Sequence, residues 1–392
     1  MSADPSVVYV LPDKMGGAMA VIANLLAYRR PDAFRYHAVL THNHLHSDTL
    51  FTGQLVADTQ TTVAYTLPIE NLHAVMRRVA RAVPHGGGVY VAGDLLDLAV
   101  ASTHDFGRAV VQILHGDSDY YYDLAVRHEP IVHAYVTASR RMYEELTSRL
   151  PHRAATIFHL PYGVPLPLAG RRPASGPLRL IYAGRFQEQK GIFDLPEIDR
   201  ALQAAGAAVT WTLAGGGPHE DELRRRWAFN RAVRWMGLLT EANLSALYQD
   251  QDVFVLPTRS EGFPVALVEA MASGLPPIIS DIASGVPEIV ESGVNGERLP
   301  VGDVRAFAGA IARLDCDRGR LEAMSAAAHQ EVARRFDIRD RVADYQALYA
   351  RWQELYRPHG PGSHLTYGSR LDQPWIPNPV VRLVRAAIRS TR

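Results

Sequence analysis

Short apolar runs alternate with segments of helical length through most of this chain, and this rhythm constrains the fold more than any other feature. The apolar runs lie at residues 7–11, 36–40, 62–66, 89–92, 109–114, 134–137, 156–158, 178–183, 209–214, 233–236, 253–256 and 277–280. Parallel strands need long crossover connections, usually helices, whereas antiparallel strands can be joined by short turns. The spacing therefore predicts an α/β fold in which helices cover both faces of parallel sheets.

A segment rich in proline and glycine, residues 160–177, interrupts the alternation and predicts a linker. A chain of 392 residues is also too long for one ordinary hydrophobic core. We therefore predict a doubly wound, Rossmann-like domain at 1–165 and a second one at 166–356. The rest, 357–392, should be an irregular segment and a C-terminal helix that returns to the first domain. Two such domains should face each other across a cleft and bind a ligand at the carboxyl ends of their strands.

The composition limits the classes of partner. The formal net charge is zero and 47% of the residues are apolar, so the chain lacks the basic excess of a nucleic-acid-binding protein. A single cysteine, Cys316, excludes an intrachain disulfide framework and favours a reducing, cytoplasmic location. The N-terminus does not have the pattern of a signal peptide, and no apolar run approaches the ~20 residues needed to span a bilayer.

Residues 260–274 hold two glutamates around the start of a predicted helix. Pro264 stands where a first helical turn would begin, and the helix should end before Gly274. With a rise of about 1.5 Å per residue, Glu261 and Glu269 would lie roughly 12 Å apart, about the span of a nucleotide-sugar. The free amides at the helix start would then face a phosphate. The alternative is a pair of solvated glutamates on an amphipathic helix.

Lysine is almost absent from the chain. Of its 41 basic residues, 39 are arginines, and the two lysines, Lys14 and Lys190, both lie close to glycines. Lysine binds phosphate as a compact point charge and arginine as a planar fork, so the two are not interchangeable there. Lys190 follows Arg185 in the loop after the run 178–183, where both cations could neutralise charge growing on a departing diphosphate. Chance placement is the alternative, above all for Lys14.

Other candidates follow predicted strands. Gly215, within the glycines of 214–218, would allow a ligand to approach the backbone, although a tight turn also explains it. Met236 lies where backbone groups could contact a base edge. His115 can donate a hydrogen bond to a sugar hydroxyl or cap a loop. Tyr120-Tyr121-Tyr122 could line an acceptor site or pack in the core.

A histidine-rich segment offers a metal-binding alternative. His42, His44 and His46, with Asp48, have the period of two that places side chains on one face of a strand, as a zinc site would require. The surrounding residues 41–48 have the composition of a loop, which we favour over a zinc site.

In combination, several motifs resemble the donor-binding half of the retaining GT-B glycosyltransferases of family 4, also described as glycosyl transferases group 1. The motifs run in order through residues 178–303: Gly184-Arg185-Phe186 with Lys190-Gly191, Ala214-Gly215-Gly216-Gly217-Pro218, Met236-Gly237, Glu261-Gly262-Phe263-Pro264 to Glu269, and Gly285-Val286-Pro287-Glu288-Ile289-Val290 with Asn295-Gly296. The pair of glutamates separated by seven residues is the most specific of them. The first domain matches only in its strand–helix rhythm, its Gly16-Gly17 loop and His115.

The resemblance implies an enzyme that transfers a sugar from a UDP- or GDP-sugar to a hydroxyl-bearing glycan, lipid-linked or small-molecule acceptor, in cell-surface glycan or secondary-metabolite glycoside synthesis. It implies retention of anomeric configuration and no metal or other cofactor. The implied catalytic residues are Glu261, His115, Arg185 and Lys190. The implied donor-binding residues are Gly16, Gly17, Gly184, Arg185, Lys190, Gly215, Met236, Gly262, Phe263, Pro264, Val265, Ala266 and Glu269. In these roles Arg185 and Lys190 hold the diphosphate, Glu261 contacts the sugar hydroxyls, and Glu269 contacts the ribose.

Three questions stay open at the level of sequence. A sugar-phosphate phosphorylase or a non-catalytic nucleotide-sugar-binding protein could use the same fold. Pro196 departs from the family pattern because it interrupts the helix expected after Lys190. The C-terminal helix predicts either a peripheral anchor on anionic lipid or an apolar side packed on a neighbouring domain. Its basic face would contain Arg382, Arg385, Arg389 and Arg392.

Overall fold

A computed structural model describes residues 4–45, 51, 53–173, 176–358 and 365–390 of the protein. The chain divides into two compact units. The first unit contains residues 1–138, 142–160 and 342–392, and the second contains residues 139–141 and 161–341. Each unit is a parallel α/β domain, so the architecture predicted from the alternation is confirmed.

The first unit is built on a seven-stranded parallel sheet. Its strands are β1 (Ser6–Pro12), β2 (Arg35–Asn43), β3 (Thr59–Tyr65), β4 (Gly88–Ala92), β5 (Arg108–Leu114), β6 (Ala134–Thr137) and β7 (Ile157–His159). They are joined by α1 (Gly17–Ala27), α2 (Leu72–Ala82), α3 (Leu95–Thr103), α4 (Asp119–Arg127) and α5 (Arg140–Arg149). The strand order is β3-β2-β1-β4-β5-β6-β7, so the winding direction reverses between β1 and β4.

Burial explains the apolar character of these strands. All residues of β4 and β5 are buried, because helices cover both faces of a parallel sheet. The edge strand β3 is different: its threonines are exposed, and none of its residues is fully buried. A polar edge strand of this kind reduces the tendency of the sheet edge to pair with another chain.

The second unit is built on a six-stranded parallel sheet. Its strands are β8 (Leu178–Ala183), β9 (Val209–Ala214), β10 (Arg234–Gly237), β11 (Val253–Leu256), β12 (Pro277–Ser280) and β13 (Glu297–Leu299). Its helices are α6 (Asp194–Ala204), α7 (Glu220–Arg226), α8 (Glu241–Gln249), α9 (Val265–Ala272), α10 (Val286–Ile289), α11 (Val304–Cys316) and α12 (Arg318–Arg335). The order is β10-β9-β8-β11-β12-β13, so the winding reverses between β8 and β11.

The position of Pro196 is resolved by where α6 begins. The helix starts at Asp194, and Pro196 is its third residue. Backbone N–H groups in the first turn have no acceptor within the helix, so a proline there removes no helical hydrogen bond. The helix after Lys190 is therefore continuous and only starts late.

The chain returns to the first unit near its end. The division falls within α13 (Ile338–Ala350), so residues 342–356 group with the first unit, whereas the sequence boundary was expected at 356. Buried Tyr349 of α13 lies 3.1 Å from the hydroxyl of Tyr9 in β1. In the described part of this segment, α14 (Trp352–Leu355) and α15 (Asn378–Ser390) follow. None of the helices within the described residues has the length and apolarity needed to cross a bilayer.

The segment expected to be a linker is held against the second unit. Arg171 is 2% exposed at its side chain and donates to Asp252, which is 1% exposed and immediately precedes β11. Arg179 in β8 binds the same carboxylate with Nε 2.9 Å from Oδ2. A buried carboxylate shared by two guanidinium groups therefore connects residues 170–172 to the sheet.

Candidate active site

The loops after β8 and β11 lie at the topological switch point of the second unit. In open α/β sheets, ligands bind outside the carboxyl ends of the strands at the point where the strand order reverses. The loop after β8 carries Arg185 and Lys190, and the loop after β11 carries Glu261. The sequence predicted these residues as a site, and the topology brings their two loops side by side.

Close backbone packing holds the two loops together. Gly191 has a φ of 67°, and a Cβ atom there would lie 1.8 Å from the carbonyl oxygen of Pro257. The carbonyl of Gln189 accepts hydrogen bonds from the amide of Arg259 at 2.8 Å and from the hydroxyl of Thr258 at 3.2 Å. Glycine at 191 is therefore required by the approach of the β11 loop as well as by its own conformation.

Lys190 and Glu261 form an ion pair at the centre of this site. The Lys190 ammonium lies 2.7 Å from Glu261 Oε2, and the two side chains are 18% and 9% exposed. Lys190 ends a single 3-10 turn over Glu188–Lys190, which presents the ammonium toward the neighbouring loop. A charge pair with this little exposure depends on both partners, because removal of one leaves the other charge desolvated and unpaired.

Arg185 adds a second cation on the same loop. Its neighbour Phe186 is 1% exposed and packs edge-on against Trp235, with the ring centroids 6.1 Å apart. The amide of Phe186 also donates to the carbonyl of Gly216 at 2.9 Å. Because the anchored phenylalanine fixes the loop, Arg185 is left exposed at its surface. An exposed guanidinium beside a lysine is suited to bind an anionic ligand.

The start of α9 supplies backbone donors next to Glu261. Pro264 is the N-cap residue of this helix, one position earlier than the first turn in which it was predicted. The amides of Val265 and Ala266, the first two helical residues, have no acceptor within the helix, and this end carries the positive end of the helix dipole. Phe263 is 7% exposed, with its ring against Tyr162 and Phe336, so only its backbone could contact a ligand.

Glu269 lies one turn further along α9 in a poorly solvated position. Burial raises the pKa of its carboxyl to about 7, and the charge of Glu241 on α8 acts in the same direction. Burial, together with the charge of Glu269, raises the pKa of Tyr248. The Tyr248 hydroxyl donates to the carbonyl of Ala266 in α9 at 3.4 Å. The ionised form of Glu269 is thus destabilised by its surroundings, and such perturbed acids are common at binding and catalytic sites.

We expect Glu269→Gln to change the pH dependence of stability. The pKa of Glu269 is about 7 in the folded protein against 4.5 for an ordinary glutamate, so between these values the folded state retains a proton that the unfolded chain has lost. Stability should therefore fall as pH rises from 4.5 to about 7, by about 3 kcal/mol in total. The glutamine variant should not show this fall. Denaturant unfolding at pH 4.5 and about pH 8 measures this change in the free energy of unfolding. Glu197→Gln on α6 is the control and should keep the pH dependence of the wild type. Parallel pH profiles for Glu269→Gln and the wild type would refute the assignment.

Two predicted donor-binding residues play structural parts in the second unit. A Cβ atom on Gly215, which has a φ of 135°, would lie 1.9 Å from the carbonyl oxygen of Gly184, so the loops after β8 and β9 touch through their backbones. Met236 is half-buried in β10 at a register shift in the pairing with β9. Both lie at the carboxyl edge of the sheet that carries Arg185.

The first unit has its own cluster at the carboxyl edge of its sheet. Gly16 is the N-cap residue of α1 and Gly17 is the first residue of that helix, and both are exposed at the end of the loop after β1. Lys14, two residues earlier, is also exposed. Since β1 borders the switch point of this sheet, the loop has the position expected for ligand contact.

His115 follows β5 on the same edge. Burial lowers the pKa of its imidazole to about 4, despite the opposing charge of Asp94, so the ring is neutral at physiological pH. A Cβ atom on Gly93 would lie 2.7 Å from the ring, which shows that glycine is needed for His115 to pack there. A neutral imidazole retains one N–H donor, as a contact with a sugar hydroxyl would require.

Sequence reasoning missed the acids after β4. Asp94 and buried Asp97 form a capping box at the start of α3, in which Asp97 Oδ2 accepts from the amides of Gly93 and Asp94 at 2.9 and 2.8 Å. Burial raises the pKa of Asp97 to about 8. Half-exposed Tyr120 donates its hydroxyl to Asp94. The position of Asp94 after an apolar run was the available signal, but the adjacency of β1 and β4 could not be read from the sequence.

The other tyrosines and the histidine segment have separate outcomes. Tyr122 is 2% exposed and belongs to the core, with its hydroxyl 2.6 Å from Asp117. His42 is in β2 and lies 3.5 Å from Asp13, whereas His46 and Asp48 lie outside the described residues. Within the described part of the chain, no group of three or more His, Cys, Asp or Glu side chains is arranged to hold a metal ion.

Solved structures identify the fold. The protein from Anabaena described as Alr3699/HepE in complex with UDP and glucose superposes with a TM-score of 0.71 at 20% identity, over 88% of this chain and 99% of that one. Sucrose-phosphate synthase from Thermosynechococcus elongatus gives a TM-score of 0.70 at 18% identity, over 88% and 98%. The fold is therefore that of the GT-B glycosyltransferases.

Sequence comparison finds a family match within the second unit. Residues 177–317 match the family model described as Glycosyl transferases group 1. The chain is 35% identical over 171 residues to the putative colanic acid biosynthesis glycosyltransferase WcaL of Salmonella typhimurium, which is 41% of this chain and 42% of that protein. It is 32% identical over 208 residues to glycogen synthase of Mycobacterium tuberculosis, 52% of this chain and 50% of that protein.

These comparisons agree with the resemblance seen in the motifs: the glycosyl transferases group 1 match lies within the second unit, and WcaL is named as a putative glycosyltransferase. The matches span about half the length of these curated relatives.

Proposed function

We propose that this protein is a retaining, metal-independent glycosyltransferase that moves a sugar from a UDP- or GDP-sugar to a hydroxyl group of an acceptor. The observation that carries the proposal is the pair of Lys190 and Glu261 at the β8/β11 switch point, 2.7 Å apart and next to the start of α9. This arrangement combines a cation, a carboxylate and helix-end amides within one loop pair, which suits a ligand that carries both a diphosphate and a sugar.

Each part has a defined task in the proposed reaction. Lys190 and Arg185 bind the diphosphate and offset the negative charge that develops when the bond to the anomeric carbon breaks. The amides at the start of α9 add dipolar stabilisation to the same anion. Glu261 orients the sugar hydroxyls and Glu269 accepts hydrogen bonds from the ribose. Neutral His115 donates a hydrogen bond to the sugar, and Gly16 and Gly17 contact the phosphates.

Retention would follow from attack on the face that the diphosphate leaves. The acceptor hydroxyl transfers its proton to the departing phosphate oxygen as its own oxygen bonds to the anomeric carbon, so the products are the glycoside and the nucleoside diphosphate. The positive charges of Arg185 and Lys190 make this departure feasible without a divalent ion.

The relatives suggest where to look for substrates. The Anabaena protein was solved with UDP and glucose, which makes UDP-sugars the first donors to test. WcaL is named for colanic acid biosynthesis, so cell-surface glycan synthesis is the leading context, with secondary-metabolite glycosides as the alternative. The sole cysteine, Cys316, is exposed and agrees with a cytoplasmic location.

A donor screen tests the proposal directly. UDP- or GDP-sugars should raise the melting temperature, and the same donor should release its nucleoside diphosphate with EDTA present. NMR of the glycoside should show the anomeric configuration of the donor. Release of free nucleotide separates this function from a phosphorylase, and turnover separates it from a non-catalytic binder. An inverted product, a strict requirement for a divalent ion, or no binding of any nucleotide-sugar would each contradict the proposal.

A further inference from the structure

The C-terminal helix α15 carries an apolar face that is largely exposed among the residues that the structure describes. Val380, Leu383, Val384, Ala387 and Ile388 recur at the spacing of one helical face. Leu383 is 75% exposed, and Val380 and Ile388 are each 48% exposed. Val381 is fully buried, whereas Val380 beside it is not. The helix therefore packs its apolar side only in part, so neither of the two arrangements predicted from the sequence describes it completely.

Polar contacts hold the helix against the rest of the first unit on the side opposite this face. Arg385 is 14% exposed and binds Asp372, with Nη2 2.6 Å from Oδ2. Its other nitrogen donates to the carbonyl of Glu70 at 2.6 Å. Asn378, the first residue of α15, accepts from the amide of Asn71 at 2.8 Å and donates to the carboxylate of Glu70 at 2.9 Å. Arg385 is thus occupied by the fold and is not part of a free basic stripe.

Asp372, which holds Arg385, is itself held by several hydrogen bonds. Asp372 also accepts from the amide of Leu72 at 2.8 Å, the first residue of α2. Burial alone would raise the pKa of Asp372, but the hydrogen bonds from Arg385, Leu72 and Ser369 lower it to about 2. The carboxylate therefore stays charged at neutral pH, and α15 remains attached to the start of α2.

Basic and aromatic residues border the exposed face. Trp375 lies just before α15 and is 77% exposed. Residues 373–392 contain four arginines and no acidic residue, in a chain whose formal net charge is zero. Arg382 is exposed on α15, and Arg77 reaches the carbonyl of Pro374 at 3.2 Å, next to Trp375. Arg392 lies outside the described residues.

We propose that α15 and Trp375 bind the surface of an anionic lipid bilayer, with the apolar face of the helix in the headgroup region and Arg382 toward the lipid phosphates. An outward apolar face, a neighbouring tryptophan and basic flanks without acids are the features of an interfacial helix. Each arginine near an anionic surface strengthens binding about five-fold. A second copy of the chain fits less well, because pairing through this face would bring two acid-free, arginine-bearing segments together.

Vesicle co-sedimentation of the full chain tests this surface. The protein should sediment with vesicles of phosphatidylcholine and about a quarter phosphatidylglycerol, less with pure phosphatidylcholine, and less at high salt. Leu383→Asp and Trp375→Ser should each weaken binding at least about ten-fold, and Arg382→Glu at least about five-fold. Both positions of the apolar variants are strongly exposed, so the fold should survive, as a melting curve checks.

Matched controls come from exposed residues elsewhere. Leu168→Asp makes the same change at a fully exposed leucine of the second unit, and Arg305→Glu makes the same charge reversal on α11. Neither should alter sedimentation. The proposal is overturned if the protein does not bind anionic vesicles, or if Leu383→Asp and Leu168→Asp behave alike. It is also overturned if ultracentrifugation shows a dimer that Leu383→Asp dissociates.

Discussion

Lys190→Ala is expected to lower turnover of the nucleotide-sugar by at least about 100-fold, the effect of losing one donor to a developing anion. The substitution removes the cation that we assign to the diphosphate. It also leaves Glu261, 9% exposed, as an unpaired carboxylate beside an anionic ligand. Lys190→Arg should recover only part of the rate, because a planar fork does not replace a compact ammonium ion in this space.

A second substitution separates the two consequences of the lysine loss. In Lys190→Ala with Glu261→Gln, the unpaired charge is gone, so thermal stability should recover. Turnover should stay low, because the cation for the diphosphate is still absent and the carboxylate that orients the sugar is lost as well. Arg231→Ala, at an exposed arginine of the second unit, serves as the control and should keep full activity. The measurement is nucleoside diphosphate released from the donor that the wild-type protein uses. Restored turnover in the double variant would show that Lys190 acts only by neutralising Glu261.

Asp252→Asn should destabilise the second unit by about 3–5 kcal/mol, the usual effect of breaking a buried ion pair. The Asp252 carboxylate is 1% exposed and accepts from Arg171 at 2.6 Å and from the backbone and side chain of Arg179 at 2.9 Å. An amide cannot neutralise these two guanidinium groups. Burial raises the pKa of Asp252, but the hydrogen bonds from Arg179 outweigh it and lower the pKa below 3.8. The advantage of the wild type should therefore disappear as pH falls below that value.

Tryptophan fluorescence during denaturant unfolding measures the loss of stability in Asp252→Asn. Three of the five tryptophans, Trp211, Trp227 and Trp235, lie in the second unit. Glu197→Gln breaks the exposed pair with Arg200 and should cost less than about 1 kcal/mol. Asp252 lies at the amino end of β11, the end opposite the candidate site, so donor binding at low temperature should be retained. Equal unfolding midpoints for the two variants would contradict the role assigned to the buried carboxylate.

The sequence predicted most of the second unit because its signals are local. Buried parallel strands are apolar throughout, and each was followed by a helix-length segment, so strands such as β8 and β11 were located within a few residues. Lys190 and Glu261 stood out because lysine is rare here and the glutamate lies just before the start of a predicted helix. Their contact could not be computed from spacing, since 71 residues separate them and only the strand order places their loops together.

The first unit was predicted less completely for the same physical reason. Asp94 and His115 follow β4 and β5 at the carboxyl edge of the sheet. They lie near the loop after β1 only because β4 pairs with β1, and nothing within these segments reveals that pairing. The return of residues 342–356 to the first unit depends on packing such as that of Tyr349 against Tyr9, between residues 340 positions apart. Likewise, the period of α15 predicted an amphipathic helix, but only the contacts of Val381 and Arg385 show which side remains exposed.

Calorimetric titration with UDP and with GDP, in EDTA, tests the central claim that fixed cations and helix-end amides of the second unit bind a diphosphate. One of the two nucleotides should bind the wild-type protein with the same affinity whether EDTA or magnesium is present. Binding to Lys190→Ala should be at least about ten-fold weaker, and binding to Arg231→Ala should be unchanged. Affinity that appears only with magnesium, or that is equal in Lys190→Ala and the wild type, would contradict the account.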